Sequence, residues 1–355
     1  MPILPCGVHF RSYRRDRAYM STKYQWGTLI AFLILLLLLP YLIGIKYIAM
    51  ISITVIMMVA VTGLQITTGL AGQINMGQSA FMGVGAFVTG SLAINFQLPF
   101  WITIPSGGIG AAIFGTLFGI PALRIKGFYL ALTTIAAQII FPLMIMSLPQ
   151  SWCGRAIGLQ LDPASIGGLI LDSDISLYYL IMAVAVIMIY FAFNLVRTRV
   201  GRAFVAIRDN DIAAEIMGVN LFYYKTLSFF IGAFYAGVAG GLWAYYLRYV
   251  GADQFTLYYS IWFVGMLVVG GMGSVLGPIL GTIFLRALQE LIVYLGPVLA
   301  TAFPRFGGGH QFWFASMNIV LGGVIILILI YEPRGLAHRW NIIKTNFRVW
   351  PFSYL

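Results

Sequence analysis

Long apolar runs recur along the chain, and they constrain its fold more than any other feature. Each run holds about 20 mostly apolar residues, the length that a helix needs to cross a hydrocarbon core about 30 Å thick. The runs are continuous and rich in Leu, Ile, Met and Gly, whereas the strands of a membrane barrel alternate in polarity. Only 9% of the 355 residues are charged, against roughly 25% in a soluble domain. The sequence therefore predicts an all-α protein that crosses a membrane many times.

Ten such runs can be placed, at 26–45, 47–68, 76–95, 102–123, 127–148, 177–196, 226–247, 259–285, 288–303 and 313–331. The basic residues cluster outside them, in 1–25, 197–225 and 332–355. Basic clusters beside membrane spans stay on the cytoplasmic side. The longest loop of opposite parity, 149–176, carries three Asp and one Arg. We therefore expect a transmembrane domain over 26–331, with the basic N-terminal segment, the central loop and the basic tail in the cytoplasm.

Glycine is abundant, with 40 residues, and its spacing is informative. Gly273, Gly277 and Gly281 recur every four residues within the eighth predicted span, a spacing that lets two helix backbones approach closely. Two similar glycine clusters stand out: 69–73 opens the third span and 270–274 lies within the eighth. An inverted repeat of spans two to five in spans seven to ten would place them equivalently, as in many transporters. A coincidence between glycine-rich helices is the alternative.

The sequence offers little to an enzyme or to a metal site. It lacks a Gly-Lys dipeptide, which excludes a phosphate-binding P-loop, and it contains no HExxH, CxxC or GxSxG motif. Its three His and two Cys are dispersed, and no basic segment has the interleaved aromatics of a nucleic-acid-binding module. We expect no catalytic residue, no cofactor, no metal and no nucleic-acid partner. If ATP drives this protein, another chain binds it.

Ionisable residues are nearly absent from the spans, which argues against a carrier coupled to protons or sodium. Arg286 and Glu290 are an exception, and they lie four residues apart. Residues at this spacing share one helix face. We interpret the pair as a structural salt bridge.

The central polar segment predicts a short helix. Asp209 or Asn210 can cap its start, and Gly218 can end it. Ile212, Ile216 and the neighbouring alanines give it a small apolar face, and we expect Ala214 to project away from the membrane-embedded core. A helix this short is not stable alone, so it should dock against something. A membrane surface is one possibility, and a cytoplasmic motor that moves the helix is the other.

Several polar side chains lie within or beside the predicted spans and are candidates for lining a pore. They are Gln73, Asn75, Gln78, Ser79, Thr133, Thr134 and Gln138. Polar groups at membrane depth must find partners. Hydrogen bonding from helix to helix is therefore the alternative explanation for these residues.

Four separated motifs carry a resemblance to a known family. They read GLAGQINMGQSAFMGVGAF (69–87), GFYLALTT (127–134), GRAFVAIRDNDIAAEIMGVN (201–220) and GGMGSVLGPILG (270–281). Together they resemble the permease subunits of branched-chain amino acid ABC transporters, over roughly residues 50–290. The motif order and the long 149–176 loop are more similar to the M-type subunit than to its H-type partner.

The resemblance implies a type II ABC importer permease fold with about ten helices in the cytoplasmic (inner) membrane of a prokaryote. It also implies a pore shared with a second homologous permease, two cytoplasmic ATPase subunits and an extracytoplasmic substrate-binding protein. The central segment would then be the coupling element that sits in an ATPase groove. Its contact residues would be Asp209, Asp211, Ala213, Ala214, Glu215 and Gly218.

The resemblance leaves the solute open. Gln78 stands where a His is common in the family, and 153–159 reads CGRAIGL in place of a Thr-Gly-Gly…Gly-Leu stretch. Branched-chain or related amino acids are the expected cargo. The alternatives are urea or another small amide carried by the same family, and a passive channel for a small neutral solute. ATP dependence separates the importer from the channel.

Overall fold

The computed structural model describes residues 23–120, 128–166, 169–302 and 309–349. Its helices are α1 (Lys23–Leu42), α2 (Ile45–Leu64), α3 (Gln78–Phe96), α4 (Phe100–Gly119), α5 (Phe128–Ser147), α6 (Gln150–Cys153), α7 (Asp174–Arg197), α8 (Arg199–Asp209), α9 (Asp211–Ile216), α10 (Leu221–Leu247), α11 (Leu257–Gly270), α12 (Leu276–Ala302), α13 (Gly309–Tyr331) and α14 (Leu336–Val349). Two small antiparallel ribbons join β1 (Leu159–Gln160) to β4 (Tyr249–Val250) and β2 (Ala164–Ile166) to β3 (Leu169–Leu171).

The prediction of an all-α, polytopic membrane protein is confirmed. Among the described residues, eight helices are long and apolar enough to cross a membrane, or nine if a pair bent by 47° (Ile319–Tyr331 with Leu336–Asn346) counts as one span. Helix α1 adds a shorter apolar stretch at Ile30–Leu42. These numbers are close to the ten spans predicted from the sequence. Most of the basic N-terminal segment, the junction of the fourth and fifth spans (121–127) and the last residues of the tail lie outside the described residues.

The eighth and ninth spans were predicted with a wrong boundary. The apolar run 257–302 does not divide near 286, because α11 ends at Gly270 and α12 begins at Leu276. Gly271 and Gly273 have φ angles of +107° and +95°, a region that favours glycine and ends a helix. The hydropathy of the side chains does not change at this turn, so the apolar pattern of the sequence does not predict where α11 ends.

The break also corrects the predicted glycine ladder. Gly273 lies in the turn rather than on a helix. Gly277 and Gly281 do lie on α12, where Gly277 packs on the backbone of Gly271, and Gly281 packs on the backbone of Met266 in α11. The close approach therefore involves two of the three glycines, and it joins α12 to the helix that precedes it.

Helix α10 forms the centre of the molecule and packs against α2, α3 and α4. Its inner face is a stripe of small residues. Gly237 lies against Gly85 of α3 and against Gly107 and Gly108 of α4, at distances that leave no room for a Cβ. Without side chains between them, these backbones contact directly, which is the usual way to pack helices at membrane depth. The second layer is formed by α7 on α2, α12 on α11 and α2, and α13 on α12.

One end of the molecule, called the α9 end below, gathers four features. It holds α8 and α9, the end of α2, the turn between α11 and α12, and the start of α14. Arg208 of α8 donates a hydrogen bond to the Gly69 carbonyl, and Gly335, just before α14, packs on Gly271. The central polar segment and the start of the basic tail therefore share one end.

Candidate functional site

Regular helical structure is interrupted between α2 and α3, inside the protein. Helix α2 continues as a π-helix over Gln65–Leu70, a rare form that is frequent at functional sites. Gly72 then has a φ of +69°, and α3 begins at Gln78 after an irregular stretch. The end of the π-helix is held locally, since the Gln73 amide donates to the Thr67 carbonyl at 3.0 Å.

The start of α3 is buried, and side chains from other helices satisfy its backbone. The first amides of a helix have no partner within the helix. The Ser79 amide donates to Ser260 Oγ of α11 at 3.0 Å, and the Ala80 amide donates to Gln138 Oε1 of α5 at 2.8 Å. Ser260 Oγ also donates to Gln138 Oε1 at 3.0 Å, and Gln138 Nε2 donates to the Phe255 carbonyl at 2.5 Å. The starts of α3 and α11 therefore meet.

The residues just before α3 complete this cluster. Asn75 Nδ2 donates to Gln78 Oε1 at 2.9 Å, and Gln78 Nε2 donates to the Ala60 carbonyl of α2 at 2.7 Å. The Met76 amide donates to Thr134 Oγ1 of α5 at 2.9 Å. We call this set of contacts the α3-start cluster.

The structure brings five of the seven pore candidates together at this place, and all five are buried: Asn75, Gln78, Ser79, Thr134 and Gln138. Gln73 is also buried, but its side chain donates to the Ala71 carbonyl at 3.0 Å outside this cluster. Thr133 is partly buried and bonds the Leu130 carbonyl of its own helix at 2.8 Å. Ser79 Oγ is buried without a hydrogen-bond partner among the described residues. The contacts match the helix-to-helix bonding given as the alternative above, and a pore role for these residues stays a prediction.

The predicted salt bridge within α12 forms. Arg286 Nη2 lies 3.9 Å from a carboxylate oxygen of Glu290, and Arg286 Nη1 donates to Gln289 Oε1 at 2.7 Å. All three residues belong to one helix, so the pair acts locally.

The short helix α9 is built as the sequence suggested. Asn210, rather than Asp209, caps it, since Asn210 Oδ1 accepts a hydrogen bond from the Ala213 amide at 3.0 Å. Asp211 occupies the first turn, where a negative charge is favoured by the helix dipole. Gly218, with a φ of +86°, ends the helix.

An ion pair holds α9 on the rest of the protein. Asp211 Oδ2 lies 3.5 Å from Lys225 Nζ of α10, and Lys225 is only 5% exposed. A buried ammonium is costly unless it is paired. Asp211 therefore faces α10, and it fixes which side of α9 points inward.

The outward side of α9 is apolar, and the expectation for Ala214 is wrong. Ala214 is 5% exposed and packs against the chain itself, whereas Ile212 and Ile216 are 63% and 80% exposed. The cause is geometric. Asp211 and Ala214 lie three residues apart on one face, while Ile212 and Ile216 lie four apart on another. Ala214, which was expected to project outward, lies on the face that the ion pair turns inward.

The exposed apolar residues continue beyond α9. Met217 follows the helix, and Phe222 and Tyr223 lie at the start of α10, all of them exposed. With Ile212 and Ile216 they form what we call the α9 patch. Ala213, Glu215 and Gly218 are exposed beside it. Contiguous exposed apolar residues on a polar segment mark a site of interaction.

A polar cleft of about 330 Å³ lies between the α2–α3 break and α8–α9. Gly72, Gln73, Arg208, Asp211 and Lys225 are among the residues that line it. Arg208 and Ser260 were not predicted as site residues from the sequence. Arg208 stands directly before the cap region of α9, and this position could have indicated a role at the site. Nothing in the sequence indicates that Ser260 contacts the start of α3.

A membrane-embedded bundle with helices interrupted inside the protein is the architecture of a transporter subunit. The model of the family described as "branched-chain amino acid transport system / permease component" matches residues 45–329. The chain belongs to this family.

Individual relatives agree with the family. Over 295 residues the chain is 28% identical to the high-affinity branched-chain amino acid transport system permease protein LivM of Escherichia coli, covering 75% of this chain and 64% of the relative. It is 25% identical over 285 residues to a LivM permease of Methanocaldococcus jannaschii, covering 74% and 79%. A LivH permease of the same archaeon is 27% identical over 151 residues, covering 42% and 44%. No solved structure gives a significant match.

Proposed function

We propose that this chain is the M-type permease subunit of an ATP-driven ABC importer for branched-chain or related amino acids. Family membership and the names of its LivM relatives support the cargo class. The sequence contains no P-loop, which supports the proposal that ATP binds to partner chains. The observation that carries the proposal is the α9 patch. It is an apolar surface on a short helix outside the spans, and the ion pair between Asp211 and Lys225 holds that helix on the rest of the protein.

We place the α9 end in the cytoplasm and the 149–176 loop outside. Two basic segments, 197–225 and the tail from 332, begin at the same end of the molecule. Basic segments next to spans remain in the cytoplasm. The membrane would be the cytoplasmic membrane of a prokaryote.

Four partner chains complete the proposed importer: a second homologous permease, two ATPase subunits and an extracytoplasmic binding protein. The α9 patch would enter a groove of one ATPase, with Ile212, Ile216 and Met217 as the apolar contacts. Asp209, Ala213, Glu215 and Gly218 would border that contact. Asp211 and Ala214 would instead hold α9 on the permease, since both face the chain itself.

The α3-start cluster would control the path of the solute. We propose an inverted repeat, supported by the meeting of the starts of α3 and α11. The glycine clusters do not occupy the equivalent positions expected from the sequence, since 69–73 precedes α3 and 270–274 follows the body of α11. ATP-driven motion would change the solute path by moving these two helix starts against each other. We propose that Ser79, whose hydroxyl has no partner among the described residues, and Thr133, which lies next to the cluster residue Thr134, reach the solute. The others would fix the helix ends.

Purification of the tagged chain from its own membranes tests the α9 patch. Ile216→Arg should leave the permease folded, because this side chain is 80% exposed. It should remove the ATPase chains from the preparation, since a cation is costly in an apolar interface. Ile343→Arg, at an exposed residue of α14, is the matched control and should retain them. An Ile216→Arg complex that keeps its ATPases would refute the docking role.

A further inference from the structure

The two glycine clusters that resemble each other in sequence lie against the same side chain. Arg208 Nη1 donates to the Gly69 carbonyl at 3.1 Å. A Cβ at Gly72 would lie 2.9 Å from Arg208 Cγ, and a Cβ at Gly273 would lie 2.9 Å from Arg208 Nη1. Both glycines have positive φ angles. The arginine therefore sits between the α2–α3 break and the α11–α12 break, in space that any larger residue at these two positions would take.

The guanidinium is held by both of its edges. Nε and Nη2 donate to Asp209 Oδ1 at 3.0 and 2.9 Å, which leaves Nη1 for Gly69. A guanidinium is a planar fork with donors in fixed directions, so it can make these contacts together. A lysine ammonium at the same place carries the charge without this geometry.

Electrostatics favours a cation at this point. The last carbonyls of a helix lack partners within the helix and carry the negative end of its dipole. The π-helical extension of α2 ends at Leu70 and α11 ends at Gly270. The guanidinium therefore lies beside two helix C-termini, one before each break.

Arg208 also lies next to the element that is proposed to receive the ATPase. It is the second-last residue of α8, and Asn210, the cap of α9, follows two positions later. At the other side of the cap, Asp211 pairs with Lys225 of α10. A displacement of α9 therefore carries Arg208 with it.

We propose that Arg208 is the positioning residue that transmits the movement of α9 to the ends of α2 and α11. This inference rests on the proposed importer function and names the contact through which coupling passes. Displacement of the guanidinium shifts the Gly69 carbonyl and the Gly273 turn together. The Gly69 carbonyl precedes α3 and the Gly273 turn precedes α12, so displacement of this one side chain would shift both breaks.

The test compares three variants of the complete complex in vesicles. Arg208→Ala removes the fork, Arg208→Lys keeps the charge, and Arg202→Ala is the control. Arg202 is an exposed residue of α8 whose Nη1 donates to the nearby Arg197 carbonyl at 3.1 Å. The measurements are the amount of copurified ATPase, the rate of ATP hydrolysis and the uptake of radiolabelled leucine.

Arg208→Ala should keep its ATPases and hydrolyse ATP, while the leucine moved per ATP falls about tenfold, the scale of one lost hydrogen bond to a charged group. Arg208→Lys should fall between the wild type and Arg208→Ala, and Arg202→Ala should equal the wild type.

Two results would overturn the proposal. One is an assembled Arg208→Ala complex with wild-type leucine uptake per ATP. The other is loss of assembly in both Arg208 variants, which would make the residue a folding element. Failure of the importer proposal is a different result, because the wild-type complex itself would then take up leucine without ATP.

Discussion

The α3-start cluster and α9 both make polar contacts inside the protein, but they differ in what their outward sides present. At the start of α3, amide and hydroxyl side chains face inward and satisfy helix ends that lie among apolar residues. At α9 the polar contact is also inward, through Asp211 and Lys225, but the outward face is apolar. A polar interior contact with an apolar exterior is unfavourable in water unless a partner covers the exterior. The comparison separates a region that holds the fold from one prepared for contact.

Gln138→Leu should produce the largest loss of stability. It removes the acceptor of the Ala80 amide and of Ser260, and the donor to the Phe255 carbonyl. Each buried group left without a partner costs about 1–3 kcal/mol, so the permease should unfold at a much lower temperature in detergent. Thr133→Val is the control, because the Thr133 hydroxyl bonds the Leu130 carbonyl of its own helix. Equal melting temperatures for the two variants would show that the cluster does not hold α3.

The two faces of α9 should respond differently to the same substitution. Ala214→Arg places a cation on a face that is 5% exposed, so it should dislodge α9 and expose the nearby backbone, at a cost of about 2 kcal/mol or more. Ile216→Arg lies on the outward face and should leave hydrogen exchange of α9 unchanged in the isolated permease. Equal exchange in the two variants would contradict the orientation of the helix.

Asp211→Asn should have a smaller, local effect. It leaves the Lys225 ammonium buried with a neutral amide in place of the carboxylate, and the partly exposed position of Asp211 limits the cost to about 1–2 kcal/mol. Amides of α9 should exchange faster, while those of α3 should keep their protection. Glu215→Gln, at an exposed residue of the same helix, should change neither. Faster exchange in α3 would show that the two regions are not separate.

Thiol labelling compares the exposure of position 216 with that of Cys153 and involves the smallest expected change to the protein. A cysteine introduced by Ile216→Cys should react rapidly with a water-soluble maleimide. The native Cys153 is buried, and its burial raises the pKa of the thiol above its ordinary value. Because the thiolate is the reactive form, Cys153 should react slowly at pH 8, and its rate should still rise above pH 9. Fast labelling of Cys153 at pH 7 would contradict its burial.

The sequence predicted the apolar framework well and the breaks poorly. Runs of about 20 apolar residues report helices directly, so α2, α3, α7 and α10 lie close to their predicted spans. The turn at Gly271 and Gly273 interrupts an apolar run without changing its hydropathy, and only the positive φ angles reveal it.

The site was predicted by residue type but not by arrangement. Polar residues at membrane depth were correctly singled out, yet the contact between Gln138 and Ser260 joins positions 122 residues apart, which no local pattern contains. For α9, the sequence located the helix, its cap region and its end. The burial of Ala214 was not predicted, because the choice of inward face depends on Lys225 of α10.

Leucine uptake by the wild-type complex tests the central claim most directly. Vesicles that contain the permease with its copurified chains are loaded with ATP, with a non-hydrolysable analogue or with no nucleotide, and the binding protein is added outside. The account predicts leucine accumulation against a gradient only with ATP inside. Uptake at the full rate without nucleotide, ending at equal concentrations on both sides, would contradict it and identify a passive channel.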